Sequence, residues 1–283
     1  MTYVTTSEKI IKRLYTRRDN WSHKGDFGNI LVIGGSREYT GSPALVALAG
    51  LRAGCDLAKI VAPERAADVC AGFSPELISI PFEGEHFSPD AIDIIKENLD
   101  WADVVTIGNG IGEGSGQTDF VNELLKGVKK RFVIDADALK ALDRNNITGN
   151  FLLTPNTNEF NILFEEKLTN DVEDRIKAVK AAARDHSVTI LLKGHIDIIS
   201  NGDDVILNKT NSPYMTKGGT GDTLTGICAA LLAQGNSMMN SAAGGAFING
   251  YSGRTAAKGR RESMSPMDLI NEISGTITKW RYQ

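Results

Sequence analysis

Short apolar runs that end in glycine or in an acid recur along this chain, and they alternate with longer stretches of helical character. Residues 29–33 run into Gly34-Gly35-Ser36, and an Ala/Leu-rich segment at 43–54 follows, giving the order strand, turn, helix. Residues 103–107 run into Gly108-Asn109-Gly110-Ile111-Gly112, and residues 131–134 into Asp135-Ala136-Asp137. The same reading predicts strands at 151–153, 188–192 and 204–207, and helices over 171–185 and 223–233.

These runs are continuous rather than alternating in polarity, which signals burial on both faces, and right-handed crossovers then put helices on each side of a mostly parallel sheet. The expected fold is a three-layer α/β/α sandwich. No fixed-period repeat, low-complexity tract or Pro/Ser-rich linker divides the sequence, so residues 1–283 are expected to form one domain. Ligands of such sheets bind beyond the carboxyl ends of the strands, where the glycine turns and acids fall.

Composition then removes several classes of function. Hydrophobic residues make up 41% and charged residues 23%, proportions that support a large buried core. A formal net charge of -4 supplies no basic field for nucleic acid or an anionic membrane, so neither is an expected partner. Cys55, Cys70 and Cys228 lack Cys-x-x-Cys spacing and are expected to be small core residues. Residues 1–20 carry no unbroken apolar stretch of the secretory kind, and no transmembrane-length apolar run occurs elsewhere, so a cytoplasmic protein is expected.

The densest chemical signal is Lys217-Gly218-Gly219-Thr220-Gly221-Asp222 at the start of an apolar helix. Glycines let the backbone approach a ligand, and the first-turn amides lack intrahelical partners, so this segment makes an anion hole at the positive end of a helix. A carboxylate at Asp222 can take the proton of a hydroxyl approaching a phosphate held there. The structural alternative is that Thr220 or Asp222 only caps the helix. Gly108 to Gly112 lacks the Gly-x-Gly-x-x-Gly spacing of a dinucleotide fold and is expected to allow close approach of a substrate. Asp135 and Asp137 are candidates for orienting a ligand and for capping the helix after them, one acid in each role.

Gly219-Thr220-Gly221-Asp222 opening an Ala/Leu-rich helix resembles the phosphate site of ribokinase-like enzymes. Within that class four stretches resemble the ADP/ATP-dependent NAD(P)H-hydrate dehydratases. They are Ser22-His23-Lys24-Gly25-Asp26-Phe27-Gly28, then Gly34-Gly35-Ser36 through Tyr39-Thr40-Gly41-Ser42-Pro43, then Asp135-Ala136-Asp137-Ala138-Leu139, and Leu191-Leu192-Lys193-Gly194. The resemblance implies a lyase that phosphorylates the added hydroxyl of hydrated NADH or NADPH with ADP or ATP and Mg²⁺, then eliminates phosphate to restore the cofactor. It implies Asp222 as base, with the Gly219, Thr220 and Gly221 amides around the transferred phosphoryl group. Ser42, Gly112 and Asn156 would line the hydrated cofactor's pocket together with Asp222. Lys193, Gly194, His195, Ile196, Asp197 and Gly221 would line the adenine nucleotide.

Two departures from that pattern stand out. Thr154-Pro155-Asn156-Thr157-Asn158-Glu159 replaces the family's Thr-Pro-His segment and resembles the Thr-Pro-Asn-x-x-Glu of vitamin and pyridoxal kinases, where Asn and Glu organise Mg²⁺; Asn249-Gly250 replaces a common His-Gly. Glu159 is accordingly a candidate for holding metal-bound water, or else an exposed first-turn acid. A small-molecule kinase acting on a vitamin-like or sugar-like hydroxymethyl group is the second reading, and a nucleotide-binding sensor without turnover the third. His86 and His186 are expected at the surface, and His23 as a structural residue fixing the loop over Gly25 to Gly28. By analogy the resemblance implies a homo-oligomer, of the tetrameric kind. Because the chain begins about 20 residues before its first motif, no fused epimerase domain is expected and a separate epimerase is the implied partner.

Overall fold

The computed structural model describes residues 3–281. Its strands are β1 (Val4–Thr5), β2 (Asn29–Ile33), β3 (Leu57–Pro63), β4 (Ile78–Phe82), β5 (Val104–Ile107), β6 (Arg131–Ile134), β7 (Phe151–Leu153), β8 (Thr189–Leu192), β9 (Asp197–Ser200) and β10 (Val205–Asn208). They form one ten-stranded sheet in the order β1-β10-β9-β8-β7-β6-β5-β2-β3-β4, parallel except where β9 runs antiparallel to β8 and β10.

Successive residues of the central strands point to opposite faces, and both faces are buried. Ile30 and Val32 of β2 join one core cluster, whereas Leu31 and Ile33 join the other. The first cluster is covered by α1 (Ile11–Leu14), α2 (Ser42–Arg52), α3 (Glu64–Phe73), α9 (Thr220–Ala233), α10 (Met238–Ala256) and α11 (Pro266–Arg281). The second is covered by α4 (Ile92–Leu99), α5 (Ser115–Leu125), α6 (Ala136–Ala141), α7 (Thr157–Phe164) and α8 (Val172–Asp185). The expected α/β/α sandwich is therefore present, and its apolar strands are continuous because each residue has a core to enter. All three cysteines are free and buried.

Strands β1, β3, β4 and β9 carry no sequence expectation, the last three for local reasons. Lys59 interrupts the apolar run of β3, and its ammonium escapes burial by lying over the Trp101 ring, 4.2 Å from its centroid. Strand β4 is an edge strand containing Pro81, with Ile78 left 40% exposed. Strand β9 opens on a charged residue, Asp197, whose carboxylate accepts from the Gly194 amide at 3.0 Å and the Asn208 side chain at 2.9 Å.

Chain order decides where a ligand can sit. From β2 the chain moves outward to β3 and β4, then returns to β5 on the other side of β2 and continues to β8. The connections at the carboxyl ends of β2 and β5 consequently diverge and leave a crevice between them. Helix α2 leaves that point and crosses α9 at very short range: a Cβ on Gly226 would lie 2.1 Å from the Val46 carbonyl oxygen. Among the described residues no helix is long and apolar enough to cross a membrane.

This crossing generates a test. Gly226→Ala is expected to push α2 off α9 and to destabilise the protein by about 1–3 kcal/mol, the usual penalty for overpacking a tight core. A fall in the urea unfolding midpoint at unchanged slope would record it.

Candidate active site

Helix α9 starts where Gly219 adopts a left-handed backbone, φ 95°, as its N-cap. That conformation suits glycine, and the Thr220 amide that follows it donates back to the Lys217 carbonyl at 3.4 Å. No side chain caps this helix. Thr220 Oγ1 instead donates to the Met215 carbonyl at 2.8 Å, so neither Thr220 nor Asp222 has the capping role considered as the structural alternative. Asn249 of α10 braces the first turn. It accepts from Thr223 Oγ1 at 2.7 Å and donates to the Thr220 carbonyl at 3.3 Å.

Asp222 faces the ends of β5, β6 and β8. Its Oδ1 accepts from Asn109 Nδ2 at 2.7 Å, and the same Nδ2 donates to Asp135 Oδ2 at 3.0 Å. Asp135 also accepts from Thr225 Oγ1 at 2.8 Å and pairs with Lys193 Nζ at 2.5 Å. Lys193 lies 3.5 Å from Glu159 Oε2 as well. Three carboxylates thus gather around one ammonium and one amide, on side chains delivered by five separate elements.

The electrostatics follow from burial in company. Burial pushes the Asp222 carboxyl up to about 6; the Asn109 hydrogen bond opposes that rise, the Asp135 charge adds to it, and a Ser42 hydrogen bond and the Lys193 charge oppose it again. For Lys193, burial would depress the ammonium, but the Asp135 and Glu159 charges outweigh it and hold its pKa above the usual lysine value. Burial likewise raises Glu159, with Lys193 working against the shift.

A cleft of about 710 Å³ opens beside this cluster. Asp222, the Gly219–Gly221 turn, Lys193, Gly194, His195, Asp197, Asn156 and Glu159 line it, so most of the expected nucleotide residues share one cavity. Ile196 does not line it and packs on the second core instead. Ser42 and Gly112 lie outside the cleft lining. Ser42 reaches the site through its hydrogen bond to Asp222, whereas the Gly112 amide donates to Asp137 Oδ2 at 3.0 Å.

Several finer expectations are corrected by these contacts. Asn156 and Glu159 form a reciprocal capping box at the start of α7, with Asn156 N donating to Glu159 Oε2 at 2.7 Å and Glu159 N to Asn156 Oδ1 at 3.0 Å. Glu159 is therefore a buried acid, 6% exposed, rather than an exposed first-turn one. Neither Asp135 nor Asp137 caps a helix with its side chain: α6 begins at Ala136 without a side-chain cap, and Ala136 itself has φ 49°. The entry loop is fixed by Asp56, which accepts from the Gly25 and Phe27 amides at 2.9 and 3.1 Å, and His23 helps through its backbone, its amide donating to Asp26 Oδ2 at 2.7 Å and its carbonyl accepting from the Asp26 amide at 3.2 Å. His86 is exposed as expected, while His186 is half-buried against the Phe164 ring.

Among the described residues no group of three or more His, Cys, Asp or Glu is arranged to hold a metal ion. Both Glu159 oxygens are engaged by Asn156, and Lys193 already supplies positive charge to the carboxylates. These side chains do not make a protein-built metal cage. Asn109 and Thr225 are site residues that carried no individual expectation; an amide side chain between two glycines at a strand end was the available signal for the first.

Comparison with solved structures places the fold. A ribokinase-like superfamily protein from Enterococcus faecalis superposes with a TM-score of 0.86 at 22% identity over 99% of this chain and 97% of that one. An ADP/ATP-dependent NAD(P)H-hydrate dehydratase from Bacillus subtilis, co-crystallised with ATP and Mg²⁺, superposes with a TM-score of 0.77 at 22% identity over 99% and 98%. The fold is that of the ribokinase-like class. The sequence model of the NAD(P)H-hydrate dehydratase family matches residues 30–275, and the chain belongs to that family. An ADP-dependent (S)-NAD(P)H-hydrate dehydratase from Nitrosopumilus maritimus is 36% identical over 97% of this chain and 96% of its own. A bifunctional NAD(P)H-hydrate repair enzyme from Pyrobaculum aerophilum is 41% identical over 95% of this chain, which spans about half, 54%, of that relative's length.

The raised Asp222 value has a sign that stability measurements can read. In the folded protein the carboxyl holds its proton up to about pH 6, against an ordinary 3.8, so its contribution to stability is fully present below about 4 and is lost as pH rises through 6. Asp222→Asn removes the buried charge while keeping an acceptor for Asn109. Its melting temperature is expected to exceed wild type at pH 8, by about 1–3 kcal/mol of stability, and to match wild type at pH 4. Thermal melts at the two pH values check this.

Proposed function

We propose that this protein repairs hydrated NADH and NADPH, using ADP as phosphate donor to convert the added hydroxyl into a leaving group. The observation that carries the reading is the Asp222 carboxylate at the mouth of the α9 amide turn, inside a cleft wide enough for a nucleotide. Relatives that match nearly end to end bear the name ADP-dependent (S)-NAD(P)H-hydrate dehydratase, which favours ADP over ATP.

The chemistry follows from the groups present. Asp222 takes the hydroxyl proton as that oxygen attacks the terminal phosphorus, and the nucleotide leaves as AMP. The Gly219, Thr220 and Gly221 amides and the positive end of α9 stabilise charge building on the phosphoryl oxygens. The phosphate ester then breaks at its carbon–oxygen bond, pushed by the ring nitrogen lone pair, while the neighbouring carbon gives up a proton and the double bond of the reduced nicotinamide is restored. Lys193, held by Asp135 and Glu159, offers its ammonium to the nucleotide phosphates, with Gly194, His195 and Asp197 along the same wall. Ser42, Gly112 and Asn156 are assigned to the hydrated cofactor. Mg²⁺ would arrive on the nucleotide phosphates, where it would neutralise their charge for the transfer.

The proposal extends to setting. The protein acts in the cytoplasm as a single domain assembled into a homo-oligomer, four copies by the implied arrangement, and a separate epimerase supplies the reactive hydrate. Asn156 with Glu159 favours the kinase reading, but here these residues cap α7, and both Glu159 oxygens accept from Asn156.

Recovery of NADH absorbance from hydrated NADH, with Mg²⁺ and ADP, ATP or no nucleotide, tests the reading. Recovery is expected with ADP and is expected to fall by about 10²–10⁴-fold in Asp222→Asn, the usual contribution of a general base. Absence of recovery with either nucleotide, from protein shown to bind ADP, would overturn the dehydratase reading.

A further inference from the structure

We infer that Asn109 is a positioning residue that holds the Asp222 carboxylate ionised and aimed beside Asp135, by donating both hydrogens of one side-chain amide to the two acids. This rests on the reading of Asp222 as base and adds a residue to it. Asp222 and Asp135 share a donor only 2.7 and 3.0 Å from their oxygens, so two carboxylates stand side by side in a place where water is scarce. Like charges so placed repel, and the Asp135 charge disfavours ionisation of Asp222. An amide NH₂ answers both at once, because it has two donors in one plane and no charge of its own.

The orientation of that amide is dictated by its neighbours. Turned over, its oxygen would face two carboxylates and repel both. In the observed sense Oδ1 is buried with no hydrogen-bond partner in the protein, and Asn109 is 1% exposed. A buried polar group left half-satisfied is unfavourable, and it persists here because the other half of the amide holds the site together.

The backbone around Asn109 is built to aim it. A Cβ on Gly108, whose φ is 122°, would lie 1.9 Å from the Asp135 carbonyl oxygen, so only glycine lets β5 end this close to β6. The Asn109 carbonyl accepts from the Gly35 amide at 3.0 Å, which ties the residue to the β2 turn across the crevice. The Gly-Asn-Gly pattern is thus a device that delivers one amide to the meeting point of two acids.

The groups facing Asp222 are Asn109 from the β5 end, Asp135 from the β6 end, Lys193 from the β8 end and Ser42 from α2. Of these, Asp135 favours the protonated acid, while Asn109, Lys193 and Ser42 favour the carboxylate. Removing Asn109 leaves the Asp135 repulsion less opposed, so Asp222 is expected to bind its proton more tightly.

The test titrates aspartate carboxyl carbons by NMR in the full-length protein labelled at Asp, without substrate or nucleotide, with the Asp222 resonance identified by its loss in Asp222→Asn. In Asn109→Leu the Asp222 proton is expected to bind about threefold or more tightly than in wild type, and more tightly still in Asn109→Asp, where a fourth acid of the cluster replaces the amide in the same shape. The acid limb of kcat/KM for ADP-driven recovery is expected to move to higher pH with it. Folded variants in which the Asp222 midpoint stays at the wild-type value would overturn the inference. Because the carboxyl titration needs no turnover, an inactive wild type would sink the dehydratase reading while leaving this measurement decisive for Asn109.

Discussion

The structure depends on keeping three carboxylates, Asp135, Glu159 and Asp222, together at the ends of parallel strands. Their charges are balanced by the Lys193 ammonium and bridged by the Asn109 amide. Buried like charges are unfavourable unless opposite charge and donors surround them. Each partner comes from a different strand end or helix start, so the cluster exists only when β5, β6, β8, α7 and α9 are docked in register. The sheet is the scaffold for that meeting, and the crevice between β2 and β5 is where it faces a ligand.

Several features of the fold read as consequences of this constraint. The close crossing of α2 and α9 at Gly226 brings together the helices that carry Ser42 and Asp222. The bracing of the α9 first turn by Asn249 fixes the amides that would meet a phosphoryl group. Asn249 and Asn156 stand where the resembled pattern has histidine, and both serve here as hydrogen-bonding braces that need no charge. An amide at these places makes these hydrogen bonds without putting a titrating group on the cleft wall.

Much of the architecture was legible in the chain. Residues 29–33, 131–134 and 151–153 were strands at the expected bounds, and residues 171–185 matched α8 to within one residue. These segments carry unbroken apolar runs or a clear helical face, so local pattern and tertiary burial agree. Strands β3, β4 and β9 were not legible, because a lysine that escapes over a tryptophan, a proline on an edge and an acid satisfied by distant donors each disguise burial as polarity. The order of the strands was likewise absent from local pattern.

The site divides along the same line. By itself the sequence determined that Asp222 would stand in the first turn of a helix opened by glycines, because glycine supplies the left-handed backbone such a start uses. It also determined that Asp135, Lys193 and Asp222 would fall at strand ends or helix starts. Only the tertiary structure decided that these three share one cluster, that Asn109 bridges two of them, that Glu159 caps α7 in burial, and that Ile196 turns into the core. Contacts between residues 26 to 113 positions apart are set by which strands lie side by side, and no local run of residues encodes that choice.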